Sequence, residues 1–176
     1  MSNFDAFADF RMDGHVVIVT GGAQNIGEAI AKTFSGAGAK VMIADLNGEK
    51  AQATAEAIQA VTGNQVLGIG CNVTVEEDIQ QCVAKTVAAF GGISTLVNNV
   101  GWGKAYDDPL EVPMEEMIES YKLNTLAATR MTSACRPYLL KAENATITNS
   151  GSLVGVLPAF DFIAYSAAKA APPLTI

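Results

Sequence analysis

The run Val16-Val17-Ile18-Val19-Thr20-Gly21-Gly22-Ala23-Gln24-Asn25-Ile26-Gly27 constrains the fold more than any other stretch of this chain. Four β-branched residues in succession suit a strand covered on both faces, as in a parallel sheet. The glycines mark a turn, and Ala29, Ile30, Thr33 and Phe34 then recur at helical spacing. A strand, a glycine turn and a helix start aim backbone N–H groups and a positive dipole end at one point. That point suits a phosphate or pyrophosphate. An ordinary βα connection reads the same way, so the rest of the chain has to decide.

The remaining sequence repeats the unit. Strands are expected at Lys40–Asp45, Gln65–Cys71, Ile93–Asn99 and Ala145–Ser150. Helices are expected from Asn25 to Ala37, Glu49 to Val61, Thr74 to Phe90 and Met114 to Leu140, and from Phe162 through Tyr165 and Lys169. Thr74 with Glu77 reads as a capping box, and Pro137 as the point where the long fourth helix is interrupted. Strands alternating with helices imply parallel pairing through right-handed crossovers. The expected fold is therefore α/β, a doubly wound parallel sheet of Rossmann type with helices on both faces. The 176 residues fit one domain by size, so residues 1–176 read as a single nucleotide-binding unit. Ligands in such sheets lie beyond the carboxyl ends of the strands. Gly21, Asp45, Asn98 and Ser152 should all fall on that edge.

Charge narrows the partners. A net charge of −7 and no basic run argue against nucleic acid or an anionic membrane surface. Met1 to Phe10 contains no apolar signal segment, and no apolar run approaches membrane-spanning length. Cys71, Cys82 and Cys135 are widely spaced and show no CxxC pairing, so they read as reduced thiols of a cytoplasmic protein. With one histidine, His15, a metal site would need scattered ligands, and none is expected.

Four positions carry chemistry. Asp45 lies 24 residues after Gly21, where a carboxylate can accept both ribose hydroxyls of an adenosine and repel a 2′-phosphate. NAD is thus expected over NADP. Tyr165 and Lys169 are four apart on one helix face. A phenol has a pKa near 10, and bringing it near 7 takes roughly 4 kcal/mol, which a close ammonium helps to supply. Such a pair can exchange a proton with an alcohol or carbonyl oxygen, although a surface Tyr/Lys pair has the same spacing. Ser152, 13 residues before Tyr165, can hold that oxygen. Asn124 is a poor helix former within a helix, which suggests another task for its side chain.

Taken together, Thr20-Gly21-x-x-x-Asn25-x-Gly27, Asn98-Asn99-Val100-Gly101, Asn124, Ser152 and Tyr165-x-x-x-Lys169 resemble the short-chain dehydrogenase/reductase family over essentially the whole chain. The resemblance implies Tyr165 as general acid/base and Lys169 as the group that lowers its pKa and holds the nicotinamide ribose. It implies Ser152 as the group that polarises the carbonyl, and Asn124 as holder of a relay water. It implies cofactor contacts from Gly21, Gln24, Asn25, Ile26, Gly27, Asp45, Leu46, Asn72, Val73, Asn99, Val100 and Gly101, besides Tyr165 and Lys169. It also implies a homo-oligomer, a tetramer by analogy, acting on a small alcohol or ketone. The run from Phe10 through Cys71-Asn72-Val73-Thr74, and the run from Pro113-Met114 onward, are most similar to the bacterial 7α-hydroxysteroid members, which implies a hydroxysteroid substrate. Alternatives within the family are a 3-oxoacyl-[acyl-carrier-protein] reductase, against which Asp45 counts, and a polyol dehydrogenase. Asn25 stands where the family has Gly, Asn72 where it has Asp, and Val100 where it has Ala. Gly apart, Asn is the residue that best tolerates a left-handed backbone. The family continues past the Tyr/Lys helix with further strands, a Pro-Gly segment and a substrate lid, while this chain meets Pro172-Pro173 and ends at Ile176. The chain therefore reads as C-terminally incomplete relative to the family, with one sheet edge uncovered. A fragment that binds NAD without turnover is the alternative outside the enzyme class.

Overall fold

The computed structural model describes residues 10–171. It contains a five-stranded, wholly parallel sheet: β1 (Val16–Thr20), β2 (Lys40–Asp45), β3 (Val66–Gly70), β4 (Thr95–Asn98) and β5 (Thr146–Asn149). The strand order is β3-β2-β1-β4-β5. β1 is central, pairing Val16–Thr20 with Lys40–Ala44 on one side and Val17–Val19 with Thr95–Val97 on the other. Chain order reverses between β1 and β4, and a crevice opens at such a switch point.

The β-branched run explains the centre. All five β1 residues are buried, and Val17, Ile18 and Val19 have no exposed surface. Val16 and Ile18 pack into one apolar layer with Met42, Ile79, Leu96 and Met131. Val17 and Val19 pack into the other with Val41, Ile43, Ala51 and Ile58. Each such side chain contributes about 1.5–3 kcal/mol of burial. Helices α1 (Asn25–Gly36) and α2 (Gly48–Thr62) cover one face, and α3 (Glu76–Phe90) and α5 (Ala127–Leu139) the other. The three cysteines are free and buried, and burial pushes the Cys135 thiol up to about 12.

Two local expectations are corrected. Thr74 does not cap α3. Its N–H and hydroxyl both donate to Asn72 Oδ1, at 3.0 and 2.7 Å, so the helix starts at Glu76 with Val75 as its N-cap. The acidic first turn reaches back instead: Asp78 Oδ2 accepts from Asn72 N at 2.8 Å. The long fourth helix is interrupted, but not at Pro137. It runs as α4 (Met114–Tyr121), a π-helical segment Lys122–Leu126, and α5. Pro137 lies exposed in the last turn of α5, where a lost hydrogen bond faces solvent. The break falls instead on Asn124, and single π turns often mark functional sites.

The last helix, α6 (Ile163–Ala170), follows two short 3-10 turns at Leu153–Gly155 and Phe160–Phe162. It ends on extended Ala171, as the residue before a proline is driven to do. The lead-in before Phe10 and the expected break at Pro172-Pro173 lie outside the described residues. Among those described, no helix is long and apolar enough to cross a membrane.

Candidate active site

Parallel pairing brings the carboxyl ends of all five strands to one edge. The glycine turn is fastened there by Gly21 N, which donates to Ala44 O at 2.7 Å. Gly21 and Asn25 both adopt left-handed backbone, with φ of 63° and 51°. Asn25 is the one non-glycine residue with positive φ among those described, so the amide that replaces the family's glycine keeps the turn's geometry. Gly27 permits the tightness: a Cβ there would lie 2.0 Å from Gly21 O. The turn delivers the N-terminus of α1, whose first-turn N–H groups have no partner within the helix.

Asn99 locks this turn to the rest of the edge. Its Nδ2 donates to Thr20 O and Gly21 O at 3.2 and 3.3 Å, and its Oδ1 accepts from Ser150 Oγ at 3.3 Å. Asp45 closes β2. Its Oδ2 accepts from Ala23 N and its Oδ1 from Asn47 N, both at 3.1 Å. A cavity of about 490 Å³ follows, lined by Gly21, Gln24, Asn25, Ile26, Gly27, Asp45, Leu46, Asn72, Val73, Asn99, Val100, Gly101 and Trp102, together with Cys71 and Leu123. Every cofactor-contact residue named from sequence lines it, apart from Tyr165 and Lys169. Gln24 also pairs with the Lys50 ammonium.

Tyr165 and Lys169 meet the far end of this cavity through Gly101–Gly103. A Cβ on Gly101 would sit 3.1 Å from both Asn124 Oδ1 and Lys169 Nζ, and one on Gly103 would sit 2.6 Å from Tyr165 Cγ. Lys169 Nζ is 5.9 Å from the Tyr165 ring centroid and donates to Ser150 O at 2.9 Å. Burial lowers the Lys169 pKa from the ordinary lysine value. The Phe162 ring meets Tyr165 edge-on at 6.5 Å. Asn124 is spent on the main chain: its Oδ1 accepts from Trp102 N at 3.0 Å, and its Nδ2 donates to Trp102 O and Ser120 O, each at 2.9 Å. Its neighbour Thr125 donates to Ala168 O at 2.7 Å, which pins the π segment to α6. Ser152 stands at the N-cap of the Leu153–Gly155 turn. That turn seats on α6, since a Cβ on Gly155 would lie 2.4 Å from Lys169 O.

Sequence reasoning missed three members of this cluster. Trp102 is clamped by Asn124, Gly103 makes room for Tyr165, and the Ser150 carbonyl holds Lys169. The Gly101-Trp102-Gly103 pattern was the available signal, because paired glycines mark close approach.

A family model described as short chain dehydrogenase matches residues 15–173. The 2,5-dichloro-2,5-cyclohexadiene-1,4-diol dehydrogenase LinX of Sphingobium indicum is 38% identical over 167 residues, which are 92% of this chain and 64% of that protein. The 7α-hydroxysteroid dehydrogenase of Escherichia coli K12 is 29% identical over 163 residues, 93% of this chain and 63% of that protein. A solved structure of a 7α-hydroxysteroid dehydrogenase, complexed with NADH and 7-oxo glycochenodeoxycholic acid, superposes with a TM-score of 0.88 at 28% identity. The match covers 96% of this chain and 64% of that one. The chain thus spans just under two thirds of the length of these relatives. With its sheet order, glycine turn and Tyr/Lys helix, this chain belongs to the short-chain dehydrogenase family.

Proposed function

We propose that residues 1–176 form one nucleotide-binding unit of an oxidoreductase that moves a hydride between NAD(H) and a secondary alcohol or ketone. The observation that carries this reading is the meeting of Tyr165, Lys169 and Asn124 around Gly101–Gly103, at the end of a cavity that begins at Asp45 and the glycine turn. The residues fit a dinucleotide: a turn closed too tightly at Gly27 for a side chain, a helix N-terminus for the pyrophosphate, and a carboxylate at the end of β2. When bound, the nicotinamide supplies the hydride acceptor, and no metal is required.

The chain's own residues would do the rest. Tyr165 exchanges the proton of the carbinol oxygen, with the Lys169 ammonium 5.9 Å from the centre of its ring. Ser152 holds the substrate oxygen. Asn124 keeps its side chain on Trp102 and Ser120, so any relay water would be held by the main chain of the π segment. Ring-borne substrates are favoured, with a hydroxysteroid first. The diol in the name of LinX and the 7-oxo steroid in the solved complex are both ring compounds, which supports this choice. A screen of NAD reduction over steroids, acyl thioesters and polyols tests the reading, and turnover of acyl thioesters alone would replace it.

Asp45 sets the cofactor preference. A 2′-phosphate about 4 Å from its carboxylate would meet repulsion of about 1 kcal/mol in water and more in a cleft. NADH is therefore expected to bind at least about tenfold tighter than NADPH, and Asp45→Ser to close most of that gap. Fluorescence titration reads both constants; tighter NADPH binding by the native chain would refute this assignment.

A homo-oligomer is proposed as well. Between α4 and α6 lies a mostly apolar groove of about 480 Å³ lined by Met117, Ile118, Tyr121, Leu126, Ala164, Ala167 and Ala168, with Lys122 beside them. An exposed apolar groove of this kind suits a second copy. Sedimentation equilibrium should return a mass above the monomer's, and Ile118→Glu should return the monomer's own.

A further inference from the structure

We propose that Trp102 is the wall of the substrate site that determines specificity, and that it selects a secondary alcohol carried on a flat, apolar ring system. The inference rests on the reading of this cleft as an alcohol dehydrogenase site.

Trp102 is 59% exposed, yet its backbone is among the most restrained in the cleft. One side chain, Asn124, holds both its N–H and its carbonyl, at 3.0 and 2.9 Å. Asn124 itself sits on the π segment, which Thr125 fastens to α6. The flanking residues leave no slack. Gly101 lies against Lys169 Nζ and Gly103 against the Tyr165 ring, each too close to admit a Cβ comfortably. Residue 102 is thus fixed between the two groups that would handle the carbinol proton, at the end of the nucleotide cavity. A rigidly mounted, solvent-exposed indole is a large apolar surface without a partner. Ligand contact could bury on the order of 150–250 Å² there.

The neighbouring loop has the same character. Between Ser152 and Tyr165 the chain exposes Leu153, Val156, Leu157 and Phe160, and carries a single charge, Asp161. Tyr106 N donates to Asp161 O at 2.8 Å, which ties this loop to the one that follows Trp102. A polyol needs convergent hydrogen-bonding side chains, and the loop between Ser152 and Tyr165 exposes mainly apolar groups, while the charges of the other loop, Lys104, Asp107 and Asp108, follow Trp102 by two residues or more. A flat ring system can stack on the indole while its hydroxyl reaches Tyr165.

Trp102 is the chain's one tryptophan, so its fluorescence reports this site alone. Protein saturated with NAD is titrated with decalone, the ketone of decalin; both partners are oxidised, so no turnover intervenes. Indole emission should shift to the blue with saturation, and sorbitol at the same concentration should leave it unmoved. In kinetics, Trp102→Ala should lower kcat/KM for a decalin alcohol about tenfold more than for isopropanol, which is too small to span the indole, and Trp102→Phe should recover most of the loss. An unmoved indole in protein that binds NADH and oxidises isopropanol would overturn the assignment of Trp102 and leave the dehydrogenase reading intact. Failure to bind NADH would overturn both.

Discussion

Tyr165→Phe is expected to lower kcat for alcohol oxidation by roughly a thousandfold while leaving NADH affinity within about twofold of native. The substitution removes one oxygen and keeps the ring. The packing of that ring against Gly103 and Phe162 therefore survives, and so does the position of Lys169, which is held by Ser150 O rather than by the phenol. What goes is the hydroxyl to which the proposed mechanism gives the carbinol proton. A fall in kcat without a change in NADH binding separates a proton-transfer role from a structural one. Retained turnover would end the role assigned to Tyr165, and a parallel loss of NADH affinity would make the residue part of the cofactor cradle instead.

Gly27→Ala should abolish nucleotide binding, weakening NADH by about a hundredfold or more. The added carbon would stand 2.0 Å from Gly21 O and 2.8 Å from Asn99 Nδ2, so the turn must open or the helix must move. Either response pulls the first-turn N–H groups away from the place proposed for the pyrophosphate. The same change nine residues on gives the control. A Cβ on Gly36, also in α1, meets nothing within 4 Å, so Gly36→Ala should keep NADH binding and raise stability by about 0.5–1 kcal/mol. Urea denaturation and NADH titration of the pair read both effects. Native-like binding by Gly27→Ala would show that the turn does not hold the nucleotide.

How much of this could be read from sequence depends on the range of the interactions. β1 was legible because four β-branched residues admit little but a buried strand. Alternation of strands and helices then determined the parallel sheet, and the parallel sheet put Gly21, Asp45, Asn98 and Ser152 on one edge. The left-handed Asn25 was legible through the resemblance, since it stands where the family has Gly and, Gly apart, Asn best tolerates that backbone. The π turn was not. Pro137 is the conspicuous helix breaker, yet the helix tolerates it at an exposed end, and the break falls where Asn124 reaches 22 residues back to Trp102. Thr74 failed as a cap for a similar reason: its hydroxyl donates to the Asn72 side chain instead of accepting from the first N–H groups of α3. Local rules located most of the strands and helices. The tertiary hydrogen bonds that assemble the site became visible only in three dimensions.

The central claim is that this cleft passes a hydride directly between a carbinol carbon and NAD, with Tyr165 handling the proton. The most direct measurement uses secondary alcohols deuterated at the carbinol carbon, from the steroid and decalin series, and analyses the reduced cofactor by mass spectrometry. The account predicts that NADH carries the deuterium and that Tyr165→Phe forms almost none. NADH formed by the native protein without the label would contradict it.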